Sequence, residues 1–163
     1  MRWLRHLFLD EALMRRAFPP AALAEIERAV AEAERRHRGE IRVAIEGGLP
    51  LAALLRGASP RERALELFAR LRVWDTEENG GVLIYVLLAD RDVEIVADRG
   101  IHARAGEAAW EEICRAMERE FAAGRYLAGM LAGIRATSEL LVRHFPAREG
   151  PNPDELPNAP AVI

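Results

Sequence analysis

Apolar residues recur along this chain at two different spacings, and the changes of spacing predict alternating helices and strands. Helical spacing, three or four residues apart, marks five segments: 2–17, 20–37, 60–71, 106–123 and 125–145. Strand spacing, every second residue, marks 40–46 and 93–97. Residues 82–89 are apolar almost throughout. Because such a strand needs cover on both faces, we expect 82–89 to be the central strand of a sheet.

The order of these elements predicts the fold class. A strand–helix–strand connection makes the first two strands parallel, with a right-handed crossover. The short turn at 90–92 returns the chain as a hairpin, so the third strand is antiparallel to the second. We therefore expect an α/β fold, a three-layer α/β/α sandwich. Its small mixed sheet, two parallel strands plus an antiparallel hairpin strand, is covered by helices on both faces.

Prolines divide the chain into three predicted parts. Residues 1–18 form an amphipathic N-terminal helical segment, which ends before Pro19 and Pro20. Residues 19–146 form one domain, and residues 147–163 form a Pro-rich C-terminal tail that is extended or disordered.

The apolar face of the first segment allows two interpretations. Trp3, Leu7, Phe8 and Met14 share this face, with Arg and His between them. A basic amphipathic helix with aromatic residues can lie on an anionic membrane, or it can pack on protein. We favour packing on protein, because the acidic residues at 10–11 dilute the positive face.

Composition excludes several classes of protein. The chain has 163 residues, a net charge of −3 and 30% charged residues, so no strongly basic surface for nucleic acid is expected. The single cysteine, Cys114, excludes an internal disulfide. No apolar run reaches bilayer length and no signal-peptide core is evident. We therefore expect a cytoplasmic location, with a peripheral position at the inner membrane as an extension of that hypothesis.

Acidic side chains converge where the second strand begins and the third strand ends. Asp75, Glu78 and Asn79 precede the second strand, and Asp98 ends the third. A hairpin brings these two ends to one edge of the sheet, where the first strand also begins with Glu40. Carboxylate, amide and carbonyl oxygens are the ligands that calcium prefers. The alternative is a solvated acidic loop in which Asp98 pairs with a nearby arginine.

Several short motifs, taken in order, resemble the TPM domain family. They are Gly39-Glu40-Ile41, Leu71-Arg72-Val73-Trp74, Asn79-Gly80-Gly81-Val82-Leu83, Val93-Glu94-Ile95, Arg99-Gly100-Ile101 and Phe121-Ala122-Ala123-Gly124-Arg125-Tyr126. The resemblance covers roughly residues 20–145 and implies an α/β/α sandwich. It also implies divalent-cation binding, chiefly of calcium, and association with LemA-type membrane proteins. Weak acid phosphatase activity has been proposed for plant relatives. The chain departs from the family pattern in the segment after the third strand, 102–106, where many relatives carry an aspartate.

The resulting functional hypothesis is a non-enzymatic TPM-like binding or accessory module. Its predicted metal ligands are Asp75, Glu78, Asn79 and Asp98, its predicted ion is Ca²⁺, and its predicted partner is a LemA-type or other membrane protein, or a second copy of itself. The alternative is a weak metal-dependent acid phosphatase centred on Asp98 and Asp75. A third hypothesis is a cation sensor that changes its affinity for a partner when calcium binds.

Overall fold

The architecture is that of a computed structural model that describes His6 and residues 11–163. Within these residues the helices are α1 (Glu11–Ala17), α2 (Pro20–Glu34), α3 (Leu51–Leu55), α4 (Pro60–Arg70), α5 (Arg99–Ala105), α6 (Glu107–Ala122) and α7 (Tyr126–His144). The strands are β1 (Glu40–Glu46), β2 (Gly81–Leu87), β3 (Asp92–Ala97) and β4 (Ala161–Val162).

The four strands form one mixed sheet in the order β3-β2-β1-β4. β1 and β2 are parallel, with Glu40 opposite Gly81, and β2 and β3 form the antiparallel hairpin. Every residue of β2 is buried, and the strand lies between β1 and β3. The predicted α/β/α sandwich and the predicted central position of β2 are therefore confirmed.

Two separate cores hold the three layers together. On one face of the sheet, α2, α6 and α7 pack against the side chains of Ile41, Val43 and Ile84. On the other face, α3 and α4 pack against Ala44 and Tyr85. Each buried large aliphatic side chain contributes about 1.5–3 kcal/mol, so the two cores together fix the position of the sheet between the helices.

The second core contains a buried ion pair. Arg63 of α4 donates two hydrogen bonds to the Glu46 carboxylate, at 3.0 and 2.7 Å, and Tyr85 donates a third at 2.6 Å. Such a bidentate pair satisfies both charges inside a region that excludes water. It ties α4 to the carboxyl end of β1.

The junction between α4 and β2 requires a glycine. A Cβ atom on Gly81 would lie 2.0 Å from the backbone oxygen of Val73. The absence of a side chain therefore lets β2 begin directly against the segment that follows α4. The predicted capping box of α4 is present: Ser59 accepts a hydrogen bond from the Glu62 backbone, and the Glu62 side chain accepts one from the Ser59 backbone.

On the outer strand β3, two backbone groups bond to side chains. The Val93 amide donates to Glu118 at 3.2 Å, and the Ile95 carbonyl accepts from Arg61 at 2.6 Å. An outer strand with free backbone groups is a template for pairing with another chain. These two side chains occupy that position on β3.

The opposite edge of the sheet, beside β1, is covered by the C-terminal tail, residues 147–163. Ala161 and Val162 pair in parallel with Ala44 and Ile45, forming β4. Leu156 is buried in the second core. The tail is thus extended, and both faces of β1 are buried, including the face that carries its polar residues.

The N-terminal segment is described only in part. His6 is buried, and it accepts a hydrogen bond from the Leu49 amide at 3.0 Å. Met14 packs against the first core, and Phe18 is buried with its ring edge-on to Phe121. Trp3, Leu7 and Phe8 lie outside the described residues.

Helix boundaries differ from the sequence-based ones in two places. α2 ends at Glu34, with Arg35 as its C-cap, rather than near residue 37. A short helix, α5, follows β3, and Asp98 caps its N-terminus. A segment of seven residues is too short to show helical periodicity in its sequence, so α5 was not predicted.

Candidate functional site

The starts of β1 and β2 and the end of β3 meet at one edge of the sheet. Glu40 lies opposite Gly81, and the Asp98 amide donates to the Gly81 carbonyl at 2.8 Å. The backbone thus brings the predicted acidic segments to the same edge. Two groups of acidic side chains occur there, and they differ in burial and in their partners.

The first group, the acidic loop site, consists of the predicted ligands Asp75, Glu78, Asn79 and Asp98. Two of its carboxylates are engaged by arginines. Asp75 pairs with Arg72 at 2.5 Å, and both side chains are largely exposed. Glu78 pairs with Arg38 and, at 3.2 Å, with Arg148. These arginines neutralise charge that a bound cation would otherwise neutralise.

Asn79 and Asp98 lie on either side of Arg99. The Asp98 Oδ1 atom accepts from the Arg99 amide at 2.7 Å, and the Asn79 Oδ1 atom lies 3.4 Å from the Arg99 guanidinium. The Asp98 Oδ2 atom is buried and has no hydrogen-bond partner among the described residues. Gly100 permits this close packing, because a Cβ there would lie 2.6 Å from the Asn79 carbonyl oxygen.

The second group, the buried glutamate site, consists of Glu34, Glu40 and Asp154. One ligand oxygen from each lies within 4.8 Å of the others, and this is the only such group of three His, Cys, Asp or Glu side chains in the described part of the chain. Asp75, Glu78 and Asp98 do not form such a group. Calcium binding at the acidic loop site stays a prediction.

Each member of the buried glutamate site comes from a different element. Glu34 ends α2 and accepts a hydrogen bond from the Ile41 amide at 2.8 Å. Glu40 begins β1 and accepts one from the Leu156 amide at 3.2 Å. Asp154 belongs to the tail and is exposed. The tail therefore completes a group whose other two carboxylates are fixed by the domain.

Burial strongly raises the pKa of both glutamates. Burial raises the pKa of Glu34 to about 8, and the neighbouring charge of Glu40 adds to the shift, although the bond from Ile41 opposes it. Burial also raises the pKa of Glu40 to about 7, against the opposing bond from Leu156. No arginine or histidine of the described residues forms an ion pair with either carboxylate. The site therefore holds two carboxyl groups without a basic partner among those residues, and burial favours their neutral, protonated forms.

A cleft of about 380 Å³ opens beside these carboxylates. Its lining includes Arg35, Asn152 and Asn158. Asn152 donates to the backbone carbonyls of Glu34 and His37, at 2.9 and 3.1 Å, and so holds the tail over the end of α2. The cleft gives solvent access to a site with two buried oxygen-bearing side chains.

Sequence reasoning placed Glu40 at this edge but missed Glu34 and Asp154. A signal for Glu34 exists, because it continues the buried stripe of Ile26 and Val30 at four-residue spacing. A carboxylate on such a stripe is a marker of a buried acidic group. Asp154 gives no such signal, since its position depends on where the tail folds back.

Comparison with known proteins agrees with this architecture. The sequence model of one family, described as the TPM domain, matches residues 14–140. The chain belongs to the TPM domain family. The matched region includes both helical layers, β1 to β3, the acidic loop site, Glu34 and Glu40, whereas Asp154 lies beyond it.

Two solved structures resemble this TPM domain. The first is the NMR structure of the BA42 protein from the psychrophilic bacterium Bizionia argentinensis, with 29% sequence identity and a TM-score of 0.75, covering 88% of this chain and 93% of that one. The second is the N-terminal domain of a protein from P. gingivalis, with 22% identity and a TM-score of 0.60, covering 81% and 83% of the two chains. The second likeness concerns the fold alone.

Two further comparisons give negative results. No curated protein matches the sequence of this TPM domain significantly. Among the residues that the structure describes, no helix combines the length and apolar character needed to cross a membrane.

Proposed function

We propose that this TPM domain is a non-enzymatic accessory module that binds a divalent cation, calcium in the first instance, and acts with an envelope or membrane protein. The observation that carries the cation part is the buried glutamate site. Three carboxylates from α2, β1 and the tail approach within 4.8 Å, and two of them are buried. Hard cations select such oxygen ligands.

The electrostatics support a cation rather than a structural ion pair at this site. Buried carboxylates are normally paired with a basic group or a metal, because an isolated buried charge is unfavourable. Glu34 and Glu40 have no basic partner among the described residues, and their pKa values of about 8 and about 7 reflect that. A dication would supply the missing charge and displace protons.

The acidic loop site is the second candidate for the cation. Its Asp98 Oδ2 atom is available, but Asp75 and Glu78 would have to leave their arginines. A cation there competes with existing ion pairs, whereas a cation at Glu34, Glu40 and Asp154 competes with protons and with single hydrogen bonds from neutral donors. This difference favours the buried glutamate site.

Isothermal titration with calcium at pH 7 tests the proposal. Weak sites of this kind bind at about 10⁻⁴–10⁻³ M. We expect Asp154→Asn to weaken binding about tenfold or more, with Glu149→Gln, an exposed change in the same tail, as the matched control. Asp98→Asn reports on the acidic loop site. No binding by the wild-type protein, or equal binding by all four proteins, would refute cation binding at both sites.

Proton release gives an independent readout. At pH 7, groups with pKa values of about 8 and about 7 together carry between about one and two protons. Calcium binding at the buried glutamate site should release most of them, and titrations in buffers of different ionisation enthalpy measure that number. Binding without proton release would point away from Glu34 and Glu40.

The partner half of the proposal rests on the family resemblance. Its test is co-elution of the purified protein with a detergent-solubilised LemA-type membrane protein, with calcium and with chelator. We expect more complex with calcium than with chelator. Absence of any complex in both conditions would contradict this half without affecting the cation half.

The alternative function, a weak metal-dependent acid phosphatase, has one observation in its favour. The Oδ2 atom of Asp98 has no hydrogen-bond partner among the described residues, and Asp98 precedes Arg99, whose guanidinium could hold a phosphoryl oxygen. Activity on aryl phosphates that requires Asp98 would support this alternative.

A further inference from the structure

The hydrogen bonds and apolar contacts of the tail are almost all with the domain, and few are within the tail. Leu156 fills an apolar position in the second core, and β4 pairs with β1, with the Ile163 amide donating to Ile45 at 2.9 Å. The buried guanidinium of Arg42 donates to the carbonyls of Pro157, at 3.1 Å, and of Ala159. We call this surface, from Glu40 to Ile45 along β1, the tail groove.

Few hydrogen bonds within the tail would maintain its conformation away from the domain. Among the described residues, the one hydrogen bond with both ends in the tail joins Asn158 to Asp154 at 3.3 Å. The four prolines, Pro151, Pro153, Pro157 and Pro160, favour an extended backbone and so preserve the shape of the tail when it leaves the groove. The tail is therefore a pre-extended segment whose last eight residues, 156–163, bind along the tail groove.

The connection between tail and domain is exposed. The backbone of Ala147 is bonded to Arg36 at 3.2 Å, and residues 147–155 are all exposed, although the side chains of Asn152 and Glu155 still bond to the backbone of the domain. Gly150 has a φ of +115°, a conformation that glycine adopts freely. The eight residues 148–155 span at most about 27 Å when fully extended. That length is close to the diameter of a small domain, so the tail can reach a neighbouring molecule.

We propose that residues 156–163 exchange between two copies of this chain, so that the tail groove of one copy receives the end of the tail of the other. Every contact that the tail makes within its own chain is available, unchanged, on a second copy. An empty groove would leave the edge of β1 unpaired, which favours refilling by any available tail. This inference does not depend on cation binding.

The competing process is rebinding of the chain's own tail. Short flexible connections give an effective concentration in the millimolar range. Exchange should therefore become prominent when the protein concentration approaches about 1 mM, and it should be rare at about 10 µM. This concentration dependence is the signature to measure.

Cross-chain disulfide trapping tests the proposal on the full chain. All proteins carry Cys114→Ala, one carries Ala44→Cys in the groove, and another carries Ala161→Cys in the tail. Ala44 and Ala161 are direct partners in the parallel register. Neighbouring strands lie about 4.8 Å apart, within the range that a disulfide spans. The two proteins are mixed at 1 mM with oxidised glutathione, and dimers are counted on a non-reducing gel.

Two control proteins calibrate the yield. Ala147→Cys, in the exposed connector, replaces Ala161→Cys to measure random collision. Leu156→Asp, added to the Ala161→Cys protein, removes the apolar anchor. We expect at least about ten times more dimer from the Ala44 and Ala161 pair than from the connector control, and a return to the control level with Leu156→Asp.

Two results would overturn exchange. The first is dimer at the control level, while a single chain with both cysteines closes its internal disulfide. The second is that a synthetic peptide of residues 151–163 blocks the internal disulfide although no cross-chain dimer forms. The groove would then accept a detached segment but not a second copy. If Ala44→Cys prevents folding, native mass spectrometry of the wild-type protein decides: dimer at 1 mM that Leu156→Asp abolishes supports exchange, and monomer at 1 mM contradicts it.

Discussion

Replacement of Glu34 by glutamine should change how the stability of this TPM domain depends on pH. Glutamine keeps the shape of the side chain and keeps an oxygen to accept the hydrogen bond from the Ile41 amide, at 2.8 Å in the wild-type protein. It removes the carboxylate whose pKa burial raises to about 8. The variant therefore isolates the effect of ionising this group.

The sign follows from the direction of the shift. A folded-state pKa above the unfolded value contributes stability that is full below about pH 4.5 and is lost as the pH rises through about 8. With those two values, ionisation of Glu34 lowers the free energy of unfolding of the wild-type protein by about 2–3 kcal/mol between pH 5 and pH 7, and by about 4 kcal/mol between pH 5 and pH 9. Glu34→Gln lacks this loss, so its free energy of unfolding should rise relative to that of the wild-type protein by the same amounts.

Urea unfolding at pH 5, 7 and 9 measures this difference. Comparison of the two proteins at each pH cancels the contribution of groups that do not interact with Glu34. One such group is His37, whose pKa burial lowers to about 4, so that stability is lost as the pH falls below about 6.5. Glu27→Gln, an exposed change on the same helix α2, is the matched control for the substitution itself.

One outcome would refute this reasoning. If the free-energy difference between Glu34→Gln and the wild-type protein stays constant from pH 5 to pH 9, Glu34 is not ionising at the expense of folding. The electrostatic argument for a cation at the buried glutamate site would then fail as well.

Three shorter predictions concern other parts of the molecule. Gly81→Ala should lower the melting temperature severely or prevent folding, because the new Cβ would lie 2.0 Å from the Val73 carbonyl oxygen; a melting temperature within about 2 °C of wild type would contradict this. Arg63→Ala should cost about 3–5 kcal/mol in urea unfolding, because it leaves the Glu46 carboxylate buried without its partner; a loss under about 1 kcal/mol would mean that water reaches that carboxylate. We expect no turnover of aryl phosphates above background at pH 5–8 with calcium, magnesium or manganese, and a robust rate that Asp98→Ala abolishes would favour the phosphatase alternative.

The sheet was predictable because its signals are local. The apolar run at 82–89 identified the central strand, and the short turn before β3 fixed the hairpin. The convergence of Asp98 with the start of β2 followed from that hairpin alone. These features depend on residues that are close in sequence or on the handedness of one crossover.

The candidate site was less predictable because its partners are distant in sequence. Glu78 pairs with Arg38 and Arg148, which lie 40 and 70 residues away, and no local pattern announces such pairs. Asp154 approaches Glu34 only because the tail folds back across the edge of the sheet. From the sequence alone the tail cannot be distinguished from a linker, because its two-residue strand and its prolines show no periodic pattern of apolar residues.

Side chains occupy two backbone groups at the β3 edge of the sheet, so the two edges of the sheet differ in how readily they can pair with another strand. In a fibre built from stacked sheets, each molecule must offer two open edges, one to the molecule before it and one to the molecule after it. Here Glu118 and Arg61 bond to the Val93 amide and the Ile95 carbonyl of β3, so an added strand pairs more readily at the opposite edge, where β4 lies beside β1. A molecule with one usable edge terminates such a stack rather than extending it. The same two side chains that hold the third strand in place therefore act as a barrier to runaway aggregation.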